Sequence, residues 1–117
     1  MPVQPYFGWV MWNVSKENYK TLKQRYPTFP KAEEGVFVQK VIIGFPAYRA
    51  GVQDGDVIVD FNGKKVRHMN DMMKVMGKKS VAAVDVIVKR FRPGKDRVVP
   101  LTISFEQKDV AAPRSRL

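Results

Sequence analysis

Hydrophobic and polar positions divide this chain into short stretches of two periods. Residues 6–14 (Tyr6-Phe7-Gly8-Trp9-Val10-Met11-Trp12-Asn13-Val14) are aromatic and β-rich and predict a strand. Ser15 stands where an N-cap is expected, and Tyr19, Leu22 and Tyr26 recur at helical spacing, with Lys16, Lys20 and Lys23 elsewhere around the axis. That pattern predicts a helix from Ser15 to Arg25, stopped by Pro27 and followed by the Thr28-Phe29-Pro30 loop. Val36 to Ile43 predicts a second strand, ended by Gly44. Pro46 and Gly51 bracket a one-turn helix, as proline suits the first helical position and glycine the left-handed stop.

Gln53-Asp54-Gly55-Asp56 predicts a turn, Val57 to Phe61 a strand, and Asn62-Gly63 a tight reversal. Met69 to Met76 predicts a short helix with His68 or Asn70 near its cap and Gly77 at its end. Val81 to Phe91 and Arg97 to Phe105 predict paired strands around Arg92-Pro93-Gly94-Lys95. Strand pairs on tight turns around two main helices imply an α+β, mainly β fold: a small, partly open antiparallel barrel. Residues 1–5 read as an extension, 6–106 as one domain, and 107–117 as a polar, basic, flexible tail.

Composition narrows the chemistry. The 117 residues carry 21 Lys and Arg against 11 Asp and Glu, for a formal net charge of +10. Such an excess favours acidic partners, but the charges scatter over loops and strand ends instead of forming one aromatic-laced stripe. There is no cysteine, which excludes a disulfide framework, a thiolate metal site and a thiol nucleophile. No apolar run approaches the roughly 18 residues of a membrane span. Met1-Pro2-Val3-Gln4-Pro5 has neither a charged nor an apolar leader segment, so no signal peptide is expected.

Residues 35–63 read G-V-F-V-Q-K-V-I-I-G-F-P-A-Y-R-A-G-V-Q-D-G-D-V-I-V-D-F-N-G. This resembles the PDZ core of HtrA/Deg (Do-like) serine proteases, where G-S-P-A-x-x-A-G precedes x-x-G-D-x-I and an N-G turn. Tyr6-Phe7-Gly8-Trp9 resembles that family's Y-I-G-Φ carboxylate-binding loop, and Leu22 to Pro30 (L-K-Q-R-Y-P-T-F-P) its helix and P-x-F-P loop, as in mitochondrial HtrA and plant Do-like proteases. The resemblance covers residues 5–106. It implies a PDZ-like fold with the HtrA-type permuted strand order, a peptide-binding role in protein quality control, and a mitochondrial, chloroplast or extracytoplasmic home. Phe45 departs from the pattern: it replaces the usual serine, so that side-chain cap is lost, at about 1 kcal/mol. Trp9 and Trp12 are larger than the usual aliphatic residues on the binding strand.

Capture of a peptide C-terminus needs clustered backbone N–H donors, an open strand edge and an apolar socket. Phe7, Gly8 and Trp9 are the candidate donors, with Tyr6 joining the peptide-binding set through the loop resemblance, and Val10, Met11, Trp12 and Asn13 the candidate edge. Met69, Met72, Met73 and Met76, spaced by three and four, offer a pliable socket wall, Met69 and Met73 favoured as groove-lining over Met72 and Met76. His68, the only histidine, reads as a solvated loop residue ahead of a selectivity role. One histidine and serines without a G-x-S-G-G context make a catalytic triad in this chain unexpected. Neither cofactor nor metal is expected.

The expected partners are peptide or protein C-termini. The alternative is a basic adaptor for nucleic acid or anionic membrane, through Lys78-Lys79, Lys89-Arg90-Phe91-Arg92 and Lys95-Asp96-Arg97; nucleic acid is disfavoured. Ser115-Arg116-Leu117 has the form of a PDZ ligand and suggests self-association; as a natural C-terminus it also resembles a peroxisomal address.

Overall fold

The computed structural model describes residues 3–4, 7–77 and 82–105. The elements are β1 (Val3–Gln4), β2 (Trp9–Val14), α1 (Tyr19–Arg25), β3 (Gly35–Val41), α2 (Pro46–Ala50), β4 (Val57–Phe61), β5 (Lys64–Lys65), α3 (Met69–Met76), β6 (Ala83–Arg90) and β7 (Arg97–Ser104). All strands join one antiparallel sheet in the order β1-β2-β3-β4-β6-β7, with β5 returning on β4. Its first and last strands do not pair with each other among the described residues, so the sheet curls without closing.

Both faces of the sheet are covered along the first half of β3, which is why Gly35 to Val38 are all apolar and buried. Successive side chains of a strand alternate between faces. Val36 and Val38 enter the main core with Phe7, Trp9, Met11, Ile58, Phe61, Met72, Val86 and Ile103. Phe37, between them, enters a second core with Val14, Phe29 and Val57, onto which Tyr19, Leu22 and Tyr26 pack from α1 and its exit. Tyr26 and Phe29 lie 5.0 and 5.2 Å from the Phe37 ring. Each buried ring contributes about 2 kcal/mol of transfer free energy, so the second core anchors α1, which has no buried residue of its own.

Three sequence expectations shift. The strand expected over residues 6–14 is β2, which begins at Trp9, because Phe7 and Gly8 form a turn with Gly8 at φ +80°. The first helix begins at Tyr19, not Ser15. Ser15 instead closes a turn with Asn18: Ser15 N–H donates to Asn18 Oδ1 at 2.8 Å and Asn18 N–H to Ser15 Oγ at 3.3 Å. Short polar side chains that bond nearby backbone offer the chain an alternative to the first helical turn. β3 stops at Val41, and Ile43 is left 76% exposed.

Elsewhere the local chemistry holds. Asn62 and Gly63 take positive φ, as a tight hairpin turn demands. α2 starts at Pro46, ends at left-handed Gly51, and Phe45 gives it no side-chain cap. No described helix is long and apolar enough to cross a membrane.

Candidate functional site

The loop ahead of β2 is built by its carbonyl groups. Phe7 C=O accepts from Ala47 N–H at 3.0 Å, and Gly8 C=O accepts from Ile42 N–H at 2.8 Å. In a planar trans peptide, C=O and the following N–H point in opposite directions. Both carbonyls face the β3–α2 segment, so the Gly8 and Trp9 N–H groups face away from it together. The glycine is required there: at φ +80° an L side chain is strained, and a Cβ would overlap the Phe45 side chain.

Side chains of the loop and strand mostly point inward. Phe7, Trp9 and Met11 are fully buried, with Phe7 and Trp9 stacked at 4.6 Å and Phe7 edge-on to Phe61 and Phe105. These residues therefore present backbone, not side chains, to an incoming group. Trp9 Nε1 is a buried donor without a hydrogen-bond partner among the described residues. Val10 and Trp12 are half-buried on the opposite face, where Trp12 Nε1 donates to Gln39 Oε1. Tyr6 lies outside the described residues.

The expectation of an open edge from Val10 to Asn13 needs correction. β1 pairs with the start of β2, with Val3 opposite Val10 and Gln4 opposite Trp9. Beyond Val10, no described strand pairs with that side of β2. The open edge is therefore Met11 to Asn13, and the part nearest the loop is already taken.

α3 stands beside β2 and is pinned to its far end. Asn13 Oδ1 accepts from Met69 N–H at 2.7 Å, and Asn13 Nδ2 lies 2.9 Å from His68 Nε2. His68 is the N-cap of the helix, accepting from Asn70 N–H through Nδ1 at 3.0 Å, so it is exposed but engaged. Asp71 completes the cap from inside the helix, accepting from the Arg67 and His68 N–H groups at 2.9 and 3.2 Å. Those backbone donors, Arg67 first, hold the Asp71 carboxyl below its ordinary pKa.

The methionines separate by role. Met72 is fully buried in the main core, while Met69, Met73 and Met76 are half-buried and pack against it. Met73 also lines an open depression of about 580 Å³ with Lys64, Lys65, Asp71, Lys74, Val75 and Gly77. Part of its surface therefore borders β5.

Sequence reasoning missed the side-chain roles of three polar residues that hold this frame. Asn13 shares a strand face with Trp9 and Met11; a polar amide closing an apolar face was its signal. Asp54 Oδ1 accepts from Val41 N–H at 2.7 Å, fixing the end of β3. Asp56, only 1% exposed, takes Arg90 in a two-point ion pair, Nε to Oδ1 at 2.9 Å and the second nitrogen to Oδ2 at 2.8 Å. That hydrogen bonding raises the Arg90 pKa further above its ordinary value.

The basic stretches are partly consumed by structure. Arg90 is paired, Lys89 Nζ donates to Lys31 C=O at 2.7 Å, and Asp96 accepts from the Lys31 and Arg92 N–H groups. Lys78-Lys79 and Ser115-Arg116-Leu117 lie outside the described residues.

A curled antiparallel sheet, a glycine loop with outward amides, and a capped helix beside a partly open strand define a PDZ domain. The chain belongs to that family: the PDZ domain family model matches residues 14–103. Its relatives are HtrA and Do-like serine proteases. It is 38% identical over 96 residues to protease Do-like 14 of Arabidopsis thaliana (82% of this chain, 20% of the relative) and 36% identical over 103 residues to human serine protease HTRA4 (85% and 20%). The chain thus spans about a fifth of these relatives.

Among solved structures, the HtrA3 PDZ domain bound to the phage-derived ligand FGRWV matches at TM-score 0.68 and 24% identity, covering 84% of this chain and 82% of that one. The HtrA-type protease AlgW with a decapeptide matches at 0.58 and 23%, covering 84% and 27%. At these identities the two structures speak for the fold. The candidate loop lies upstream of residues 14–103, the segment the family model matches, so its reading rests on geometry.

Proposed function

We propose that this chain captures hydrophobic C-termini or exposed apolar segments by β-strand addition, as the substrate-binding and regulatory domain of an HtrA/Deg-type serine protease. The ligand's carboxylate meets the N–H groups of the Phe7-Gly8-Trp9 loop, and its backbone runs antiparallel to β2 with α3 as the opposite wall. The observation that carries this reading is the inward turn of the Phe7 and Gly8 carbonyls, which aims the next two amides outward beside a strand edge. Two such donors converging on one point make an anion-binding concavity. The methionines of α3 supply an adaptable apolar wall.

The relatives support the choice of parent, since those matched are serine proteases. FGRWV, the ligand of the HtrA3 PDZ domain, is a suitable probe. Titration of the full chain with FGRWV gives saturable binding. Amidating the peptide's carboxyl, or the substitution Gly8→Ala, weakens it at least about tenfold, the loss of one or two charge-assisted hydrogen bonds. Equal binding of the free and amidated peptides excludes the carboxylate loop as the site.

A further inference from the structure

We infer that β1 is a built-in competitor for the peptide groove, a strand that occupies the ligand's track until a peptide displaces it. The inference rests on the strand-addition reading above. β1 lies antiparallel on the same side of β2 toward which the Trp9 N–H is directed, with Gln4 opposite Trp9 and Val3 opposite Val10. The Trp9 C=O lies on that side as well, because both groups of one strand residue face the same neighbour. β1 also runs with its C-terminal end toward the Phe7-Gly8 turn, the direction a captured C-terminus must take. It covers the first two rungs beside the loop and leaves the edge from Met11 to Asn13 open.

The strand is built to be weak. It has two residues, and Pro2 and Pro5 flank it in sequence. Proline has no N–H to donate, so neither flank extends the ladder on its own account. A two-rung strand makes few backbone hydrogen bonds, each of modest net worth in water. A peptide that reaches the loop amides and the whole of β2 makes more rungs than β1 does. β1 then lowers the apparent affinity by the fraction of time it is bound, and sets a length threshold: peptides long enough to seize Met11 to Asn13 first displace it more readily than short ones.

The test uses the full chain with Gln4→Pro, which removes the N–H paired to Trp9 C=O, and Gln4→Ala, which keeps it. Titration with FGRWV is expected to show about tenfold tighter binding for Gln4→Pro than for the unaltered chain, and no change for Gln4→Ala. Hydrogen exchange without peptide supplies an independent readout: the Trp9 amide loses protection in Gln4→Pro and keeps it in Gln4→Ala, while amides of β6 and β7 are unchanged in both. Equal FGRWV affinity in all three chains, or a Trp9 amide equally exposed in all three, overturns the inference and leaves the peptide-binding reading intact. Absence of FGRWV binding in all three, with the exchange difference present, overturns the peptide-binding reading and the competition with it.

Discussion

At the scale of single residues, polar groups in apolar surroundings decide the most. Asp56 is a buried acid with one cation, Arg90, to answer it among the described residues. Its second task is local: Oδ2 also accepts from Gln53 N–H at 2.9 Å, closing the turn before β4. Arg90 in turn reaches Gly51 C=O at 2.9 Å, so the pair ties α2's end to β4 and β6. Breaking a buried pair from one side leaves an uncompensated charge. Arg90→Met is therefore expected to destabilise the fold by about 3 kcal/mol in urea unfolding, whereas replacing Arg97, an exposed cation with no ion-pair partner among the described residues, changes it by less than about 0.5 kcal/mol. Equal midpoints for the two variants contradict this assignment.

Trp9 is the converse case. Its Nε1–H is buried without a partner among the described residues, and an unmet donor costs about 1–3 kcal/mol. Trp9→Phe removes that donor and about one ring's volume, so the two effects oppose and net stability stays within about 1 kcal/mol of the parent. Trp9→Ala creates a cavity and costs about 3–5 kcal/mol in the same assay.

At the scale of elements, α3 depends on its cap more than on its sequence. Its eight residues are too few for stability on their own. It is held by Met72 in the core, by Asn13 from β2, and by the His68–Asp71 capping box. The Asp71 pKa is lowered in the fold from its ordinary 3.8 by the Arg67 and His68 backbone donors. A lowered carboxylate pKa stabilises the fold above the unfolded value and ceases to do so as pH falls through the folded value. The Asp71 contribution is thus full near neutrality and disappears in acid below 3.8. Asp71→Asn is expected to lower the melting temperature at about pH 7 and to converge on the parent at about pH 2. A gap of equal size at both pH values removes the carboxylate from the capping role.

At the scale of the whole molecule, charge and groove compete to explain the function. A net charge of +10 invites polyanions, yet Arg90, Lys89 and the backbone near Asp96 are engaged within the fold. Peptide capture by backbone amides and an apolar wall is local and short-ranged, whereas polyanion binding falls steeply with salt through counterion release. FGRWV affinity is expected to change less than about threefold between roughly 50 and 300 mM salt, where polyanion binding through several phosphates falls by orders of magnitude. A steep salt slope for the peptide would return the basic surface to the centre of the account.

The sequence by itself determined the elements whose signals are local. Asn62-Gly63, Pro46 with Gly51, the methionine spacing and the ordered set of PDZ-like motifs needed only neighbours to be legible, because turn and cap preferences arise within a few residues. It also determined that residues 6–14 hold a glycine among bulky groups, and so pointed to the loop. The tertiary structure decided which groups that loop offers and which edge stays open. The carbonyls of Phe7 and Gly8 turn inward because Ala47 and Ile42, more than thirty residues away, supply their donors. The second core, not the helix's own sequence, fixes where the Tyr19, Leu22 and Tyr26 face settles on the sheet. Whether β2 is free or covered was a question of pairing between segments, and pairing is a long-range choice that periodicity along the chain does not encode.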